Sequence, residues 1–260
     1  MSLSNCSRGL LYIATGTSYI QEAVKNVVRS RPFLEGIKTC IVTDSDDESL
    51  HRIFDFVLPH PSPVYSYRDK LLPLQNLPFE ETLFLDTDAC LINPASDIFA
   101  ACSLADFAAV YSPVRLPPGW RSESVPSFFP EVNSGVMYFK VSDIQMSFVA
   151  TWIELYDSLF NEYCQKWDQA SLRHVVWMFM AQHNFRFHVL PSEVNLRTTK
   201  PWTVGRGLSC AVIHGRFSDS EFDDFVNYLN ADIDRFRFWS EWLSLHPETT
   251  IRPRYDRTFY

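Results

Sequence analysis

Two aspartates separated by one threonine, Asp86 and Asp88, directly follow a short apolar run at residues 82–85 that predicts a buried strand. In an open α/β sheet, ligands bind at the carboxyl ends of the strands. Carboxylates at such a position can converge on one hard cation, Mg²⁺ or Mn²⁺, and phosphate oxygens can complete its coordination. The same spacing also occurs in polar turns that cap the next segment, so the pair alone leaves both interpretations open.

The elements that must position this pair alternate between strand and helix in the N-terminal half. Apolar runs rich in β-forming residues predict the strands, and the stretches between them are interpreted as helices. Strands are expected at residues 9–15, 38–43, 55–59 and 82–86, and helices at 19–30, 44–54 and 66–78, the last kinked or ended by Pro73. This alternation predicts a parallel sheet with helices on both faces. A hydroxyl residue beside Gly16 is expected to cap the first helix.

The second half of the chain has a different pattern. Strands are expected at residues 106–111, 131–141, 185–191 and 209–215, and helices at 94–101, 142–163, 166–182 and 219–245. Between them, residues 112–131 contain five prolines together with Trp120, Phe128 and Phe129. A loop of this length inside a compact domain is usually functional. No polar linker divides the chain, so we expect a main domain at residues 1–218 and a helical extension, 219–260, packed on it.

The overall composition excludes several classes of protein. With 31 acidic residues against 23 lysines and arginines, the net charge of −8 disfavours a nucleic-acid-binding protein. No apolar segment approaches the roughly 18–20 residues of a transmembrane helix, and the first residues lack the pattern of a signal peptide. Six scattered cysteines without metal-type spacing indicate reduced thiols. We therefore expect a cytoplasmic protein.

Six stretches of the chain resemble, in the expected order, motifs of GT-A glycosyltransferases, and most closely those of glycosyltransferase family 8. The resemblance implies an α/β, Rossmann-like nucleotide-diphospho-sugar transferase fold with a mixed central sheet flanked by helices. It also implies a metal-dependent hexosyltransferase that uses a nucleotide diphosphate donor, UDP above all, and an acceptor hydroxyl on a carbohydrate, a lipid-linked molecule or another compound. The stretches are IATGT (13–17), VTD (42–44), LFLDTDACLIN (83–93), VNSGVMYFK (132–140), WDQASL (167–172) and VIHG (212–215).

The resemblance implies a metal site made of Asp86, Asp88 and His214. An imidazole ligand favours Mn²⁺ over Mg²⁺. The sequence departs from family 8 after the histidine, where HGRF replaces the usual run with its phosphate-binding lysine. Lys200 lies upstream and is not assigned that role, so Arg216 is the expected phosphate-binding cation.

Further residues are assigned to the donor site by the resemblance. Thr15, Gly16 and Asp44 are expected to line the nucleotide pocket, although Asp44 also suits a helix cap. Tyr65 is expected to stack on the base. The remaining donor-site residues are Arg68 and Lys70, either of which can pair with diphosphate or sugar, and Thr87, between the two aspartates. A solvated amphipathic helix remains the alternative interpretation of residues 65–70.

The transferred sugar and the acceptor are expected to meet at Asn133 and Ser134, where Gly135 allows close backbone approach. Residues 112–131 are expected to form an acceptor-side lid or wall, with a packed surface loop as the alternative. Asp168 and Gln169 are expected to bond the sugar hydroxyls. Family 8 implies retention of configuration, either by front-face displacement or through a carboxylate nucleophile, for which Asp168 is the candidate. Inversion remains open.

Two other functions and one membrane contact remain open from sequence alone. A sugar-1-phosphate nucleotidyltransferase shares the nucleotide-binding half of the fold, but its Gly-rich, Arg-bearing loop is missing after the first strand. A non-catalytic sugar-nucleotide-binding module would not need an intact metal site. The aromatic and basic tail, residues 233–260, is expected to pack on the domain, with weak peripheral membrane contact as the alternative.

Overall fold

The computed structural model describes residues 7–112, 120–182, 184–200 and 204–251. Cys6, Pro113, Pro117, Pro118 and the tail beyond Ile251 lie outside the described residues. The strands are β1 (Arg8–Ala14), β2 (Lys38–Thr43), β3 (Phe56–Pro59), β4 (Glu81–Leu85), β5 (Ala89–Leu91), β6 (Phe107–Tyr111), β7 (Val132–Lys140), β8 (Phe187–Leu190), β9 (Leu196–Arg197) and β10 (Val212–His214). The helices are α1 (Thr17–Ser30), α2 (Arg68–Leu71), α3 (Ala95–Ala101), α4 (Asp143–Tyr163), α5 (Asp168–Gln182), α6 (Phe222–Asn230) and α7 (Trp239–Leu245).

A seven-stranded mixed sheet forms the centre, in the order β3-β2-β1-β4-β7-β6-β8. Strands β1 to β4 are mutually parallel, as predicted for the N-terminal half. Strand β7 runs antiparallel to both β4 and β6, and β8 pairs parallel with β6. The predicted mixed α/β sheet is therefore confirmed, and the strand direction changes beside β4, the strand that directly precedes Asp86.

Helices cover both faces of this sheet, which explains why β1 is apolar and buried from Gly9 onward. Successive side chains of a strand point to opposite faces. Leu10 and Tyr12 pack on the face covered by α1, whereas Leu11 and Ile13 pack on the opposite face, which is covered by α4 and α5. Trp152 of α4 is fully buried on this second face.

A second, three-stranded sheet has the order β5-β10-β9. Strand β10 pairs antiparallel with β5, so that His214 lies opposite Ala89. Helices α6 and α7 pack beneath this sheet through Phe225 and Trp242, which share a core with Ile213. The C-terminal helices therefore support the strand that ends at His214, while the boundary at residue 218 remains a prediction.

Several predicted elements differ from the structure. The helix expected at residues 44–54 is only a 3₁₀ turn, Glu48–Arg52, and the one expected at 219–245 is divided into α6 and α7. Pro73 lies in a 3₁₀ turn that directly follows α2.

The predicted hydroxyl cap of α1 is wrong, because the N-cap is Gly16, with φ +84° and no side-chain bond. Ser142 caps α4, because its hydroxyl accepts a hydrogen bond from the amide of Gln145. Among the described residues, no helix has both the length and the apolar character needed to cross a membrane.

Candidate active site

Three potential metal ligands meet where the two sheets adjoin. Asp86 follows β4 and is held by its amide, which donates to the carbonyl of Gly135 at 2.8 Å. Asp88 precedes β5, and His214 ends the paired strand β10. The His214 Nε2 atom lies 3.2 Å from Asp88 Oδ1 and 3.8 Å from Asp86 Oδ2. One donor atom from each residue lies within 4.8 Å of the others, which is close enough to bind one ion.

Gly135 makes this convergence possible. A Cβ atom at this position would lie 2.1 Å from His214 Cε1 and 2.9 Å from Asp86 Oδ2, closer than van der Waals contact allows. Two carboxylates and one imidazole from separate chain segments form a donor set that suits a divalent metal ion. The residues therefore fit the divalent cation that the D-x-D spacing predicts.

The two aspartates have pKa values shifted in opposite directions. Burial raises the pKa of Asp86 above its usual value, although Lys70 and His214 oppose the shift. Burial acts in the same sense on Asp88, but the charge and hydrogen bond of His214, together with Arg216, hold its pKa below the usual range. Asp88 is therefore the firmly ionised member of the pair.

Lys70 lies at the centre of a buried polar cluster. Its ammonium is 2.6 Å from Asp168 Oδ2 and 3.5 Å from Asp86 Oδ1, and it donates to Ser134 Oγ at 2.9 Å. Burial would lower the pKa of Lys70, but Asp168 and Asp86 outweigh it and raise the pKa above its usual value. The amine is therefore a fixed positive charge beside the metal-ligand cluster.

Arg68, the other basic residue predicted near the donor, is held elsewhere. Its guanidinium makes a bidentate pair with Asp157 of α4, at 2.7 and 2.9 Å. It is not among the residues that line the cavity described below. Lys70, two residues later, occupies the position that the prediction offered to either residue.

The rim beyond the metal ligands is built around two further carboxylates. Asp44 accepts bonds from the Gly16 amide at 2.9 Å and from the Tyr65 hydroxyl at 3.0 Å. Asp69, which is buried, accepts from Thr15 Oγ1 and from the Tyr65 amide. These bonds hold Tyr65 at φ +54° with its side chain mostly exposed, so its ring is presented at the mouth of the site.

A cavity of about 720 Å³ connects these groups, within the usual range for small-molecule sites. Asp44 does not line the cavity itself but bonds Gly16 and Tyr65, which do. Gly135 also lies outside the lining and packs against the metal ligands His214 and Asp86. The predicted residues that line it are Thr15, Gly16, Tyr65, Lys70, Asp86, Thr87, Asp88, Asn133, Ser134, Asp168, Gln169, His214 and Arg216.

Other residues of the site escaped the sequence analysis. Glu22 of α1 pairs with Arg216 at 2.6 Å and accepts a bond from Thr87 Oγ1 at 2.6 Å. Arg216 thereby lies 3.7 Å from Asp88. Asn195 contacts the ring of His214 at 2.8 Å. No local pattern marks Glu22 or Asn195, because only tertiary contact brings each of them to the site.

Solved structures identify the architecture, whereas no protein-family model and no curated protein matches the sequence. A galactosyltransferase, LgtC, bound to donor and acceptor sugar analogues, aligns with TM-score 0.53 and 12% identity over 79% of this chain and 86% of its own. Mouse xyloside xylosyltransferase 1 aligns with TM-score 0.52 and 12% identity over 81% of this chain and 98% of its own. The fold is GT-A.

A longer protein shares this fold. The glycosyltransferase GlyE of Streptococcus pneumoniae aligns with TM-score 0.55 and 13% identity over 92% of this chain. The chain spans 60% of the GlyE chain. At these identities the likeness shows the GT-A architecture alone, so the chemistry must be argued from the site.

Proposed function

We propose that the protein is a metal-dependent glycosyltransferase that moves a hexose from a UDP-linked donor to an acceptor hydroxyl with retention of configuration. The observation that carries the proposal is the convergence of Asp86, Asp88 and His214 on the floor of a cavity that also contains Lys70 and Asp168. The motif order resembles that of family 8, and membership of that family is part of the proposal.

The donor diphosphate is proposed to lie over the metal ligands. Asp86, Asp88 and His214 would hold Mn²⁺, or Mg²⁺, and a bound ion would stabilise the negative charge of the leaving nucleotide diphosphate. Arg216 adds a cation beside Asp88 for the phosphate oxygens. Tyr65, tethered through its hydroxyl to Asp44, offers an aromatic face to the base.

The sugar is proposed to lie beside Lys70 and Asp168, with Gln169, Asn133 and Ser134 bonding its hydroxyls. A carboxylate that forms an ion pair at 2.6 Å is a weakened nucleophile. The Lys70 pair therefore favours front-face displacement over a covalent intermediate on Asp168. In that reaction the leaving phosphate oxygen accepts the proton of the acceptor hydroxyl.

The acceptor is proposed to be a carbohydrate or a lipid-linked or other hydroxyl compound. The described cysteines are free and most are buried, which fits a reducing cytoplasm. The division at residue 218 is retained as a proposal, and so is packing of the tail on the domain, with weak membrane contact as the alternative.

A screen of nucleotide sugars for metal-dependent hydrolysis tests the proposal. We expect a UDP-hexose to be hydrolysed slowly with Mn²⁺ and not with EDTA. Donor binding without hydrolysis or transfer would identify a binding module instead. Formation of a nucleotide sugar from a nucleoside triphosphate and a sugar 1-phosphate would identify a nucleotidyltransferase. Failure to bind any nucleotide sugar would overturn the proposal.

A further inference from the structure

A chain of hydrogen bonds runs behind the metal ligands and ends at the ring of His214. The Gly135 amide donates to Asn133 Oδ1 at 2.9 Å, and Asn195 Nδ2 donates to the same oxygen at 2.7 Å. Asn195 Oδ1 then lies 2.8 Å from His214 Nδ1. Asn195 is buried and is not among the residues that line the cavity. It therefore acts on the site through its neighbours.

The hydrogen bond from Gly135 to Asn133 determines which atom donates and which accepts in the other two hydrogen bonds. A backbone N–H can only donate, so the Asn133 atom facing Gly135 must be the oxygen. The Asn195 atom that shares this oxygen must then be its NH₂ group, which leaves the Asn195 oxygen facing His214. An amide oxygen can only accept, so Nδ1 of His214 must carry a proton.

We propose that Asn195 is a positioning residue that keeps a proton on Nδ1 of His214, which leaves Nε2, the nitrogen facing Asp86 and Asp88, as the one that releases its proton to bind a metal ion. The inference rests on the proposed function, because a metal ion needs an unprotonated ring nitrogen. Nε2 is the ring nitrogen that faces both carboxylates. Without an acceptor at Nδ1, the neutral ring is free to carry its proton on Nε2, which would block the ligand position.

The same chain also determines what Asn133 can offer to a substrate. Its oxygen already accepts two bonds, from Gly135 and from Asn195. Asn133 lines the cavity, so its NH₂ group is the part left to bond a ligand. Asn133 is thus set as a donor to a hydroxyl or phosphate oxygen. Asn195 thereby links the orientation of a metal ligand to that of a substrate-binding amide.

Nitrogen-15 NMR of the histidine rings tests the inference without any reaction. Spectra of the full chain at pH about 8.5, well above the usual histidine pKa, report which nitrogen carries the proton. The His214 signals are assigned by their loss in His214→Gln. We expect Nδ1 to carry a proton in the wild-type protein and to lose it in Asn195→Ala. An Nε2–H ring in the wild-type protein would overturn the inference.

Mn²⁺ affinity, measured by calorimetry, supplies the second readout. Loss of a residue that orients a metal ligand typically costs about 10–100-fold in affinity, and we expect a loss in that range for Asn195→Ala. Asn195→Asp can still accept from Nδ1, so it should retain the Nδ1–H form even though it cannot donate to Asn133. The matched control is Asn230→Ala, which removes another pair of asparagine bonds, those to the backbone of Cys210, away from the site. It should change neither readout.

The outcomes separate this inference from the proposed function. An Nδ1–H ring with Mn²⁺ binding, but without turnover of any nucleotide sugar, would overturn the proposed function and leave the role of Asn195 intact. Sugar transfer by the wild-type protein, with unchanged His214 tautomer and Mn²⁺ affinity in Asn195→Ala, would support the proposed function and overturn the role of Asn195.

Discussion

Position 135 can hold only a glycine without disturbing the metal ligands. The space of its missing Cβ is occupied by the His214 ring and the Asp86 carboxylate. We expect Gly135→Ala to push the ring away from the carboxylates and to lower Mn²⁺ affinity more than about 10-fold, the lower end of the range for disturbed ligand orientation. Calorimetric titration with Mn²⁺ measures the effect.

Gly205→Ala is the matched control, because a Cβ there would meet nothing within 4 Å. It should bind Mn²⁺ as the wild-type protein does. Unchanged affinity in Gly135→Ala would contradict the assignment of the metal site.

Asp88 tests the metal site more directly. Because its pKa is held low by His214 and Arg216, Asp88 is ionised at neutral pH and contributes a full negative charge. We expect Asp88→Ala to lower sugar transfer more than about 100-fold, beyond the usual loss for an orienting residue, while circular dichroism shows a folded chain. Asp97→Ala, at an exposed aspartate of α3, serves as the control. Transfer near the wild-type rate at saturating Mn²⁺ would exclude Asp88 as a ligand.

The proline-rich segment is tied to the site by one buried glutamine. Gln165 accepts from the Trp120 amide at 2.9 Å and donates to the carbonyl of Trp167, which lines the cavity. We expect Gln165→Ala to release the start of the segment 120–131 and to raise the KM for the acceptor several-fold. Donor hydrolysis, measured in the same preparation, should change less than about twofold, because the metal ligands are untouched.

Gln145→Ala is the matched control for this change. Gln145 is equally buried and bonds the carbonyl of Leu74, away from the segment. Both variants should lose about 1–3 kcal/mol of stability, but only Gln165→Ala should affect the acceptor. A parallel loss of transfer and donor hydrolysis would indicate a structural role for the segment.

Asp106, just before β6, and Arg186, just before β8, form an ion pair whose contribution to stability depends on pH. Burial of Asp106 opposes its ionisation, but bonds from the side chain and amide of Arg186 outweigh this and lower its pKa. A lowered pKa in the folded state stabilises the protein above the usual pKa of about 4, and this stabilisation is lost as the pH falls through the folded value.

Asp106→Asn should therefore lower the melting temperature at pH 7. The difference from the wild-type protein should shrink toward pH about 2 as the wild-type carboxyl is protonated. Thermal melts across this range measure it. An equal difference at both ends of the range would mean that the charge of Asp106 does not contribute.

Across the whole molecule, the sequence was informative where structure is local. The strands of the central sheet follow from continuous apolar runs, and Asp86 and Asp88 were marked by their position just beyond a strand. His214 was assigned only through the resemblance to known motifs. Strands β5 and β9 have three and two residues and carry no periodic pattern. The pairing of Arg68 with Asp157, on a distant helix, could not be read from residues 65–70 alone. Tertiary contact, not propensity, decides each of these features.

The C-terminal helices stabilise the molecule from beneath the second sheet. Trp242 is fully buried against Phe225 and donates its indole N–H to Thr249. We expect Trp242→Ala to lower the free energy of unfolding by about 3–5 kcal/mol, as measured by urea denaturation. Phe238→Ala, at an exposed neighbouring position, should cost far less. Equal stability of the two variants would mean that α7 adds little to the core.

The pairing of β10 with β5 brings His214 beside Asp88, although nearly half of the chain separates them in sequence. A polypeptide still being synthesised can form β4 and present both aspartates long before the histidine has left the ribosome. Until then the two carboxylates have neither their imidazole neighbour nor the shielding of the second sheet. Acquisition of tight Mn²⁺ binding would therefore mark the end of folding, and nascent chains that stop before residue 214 should lack it.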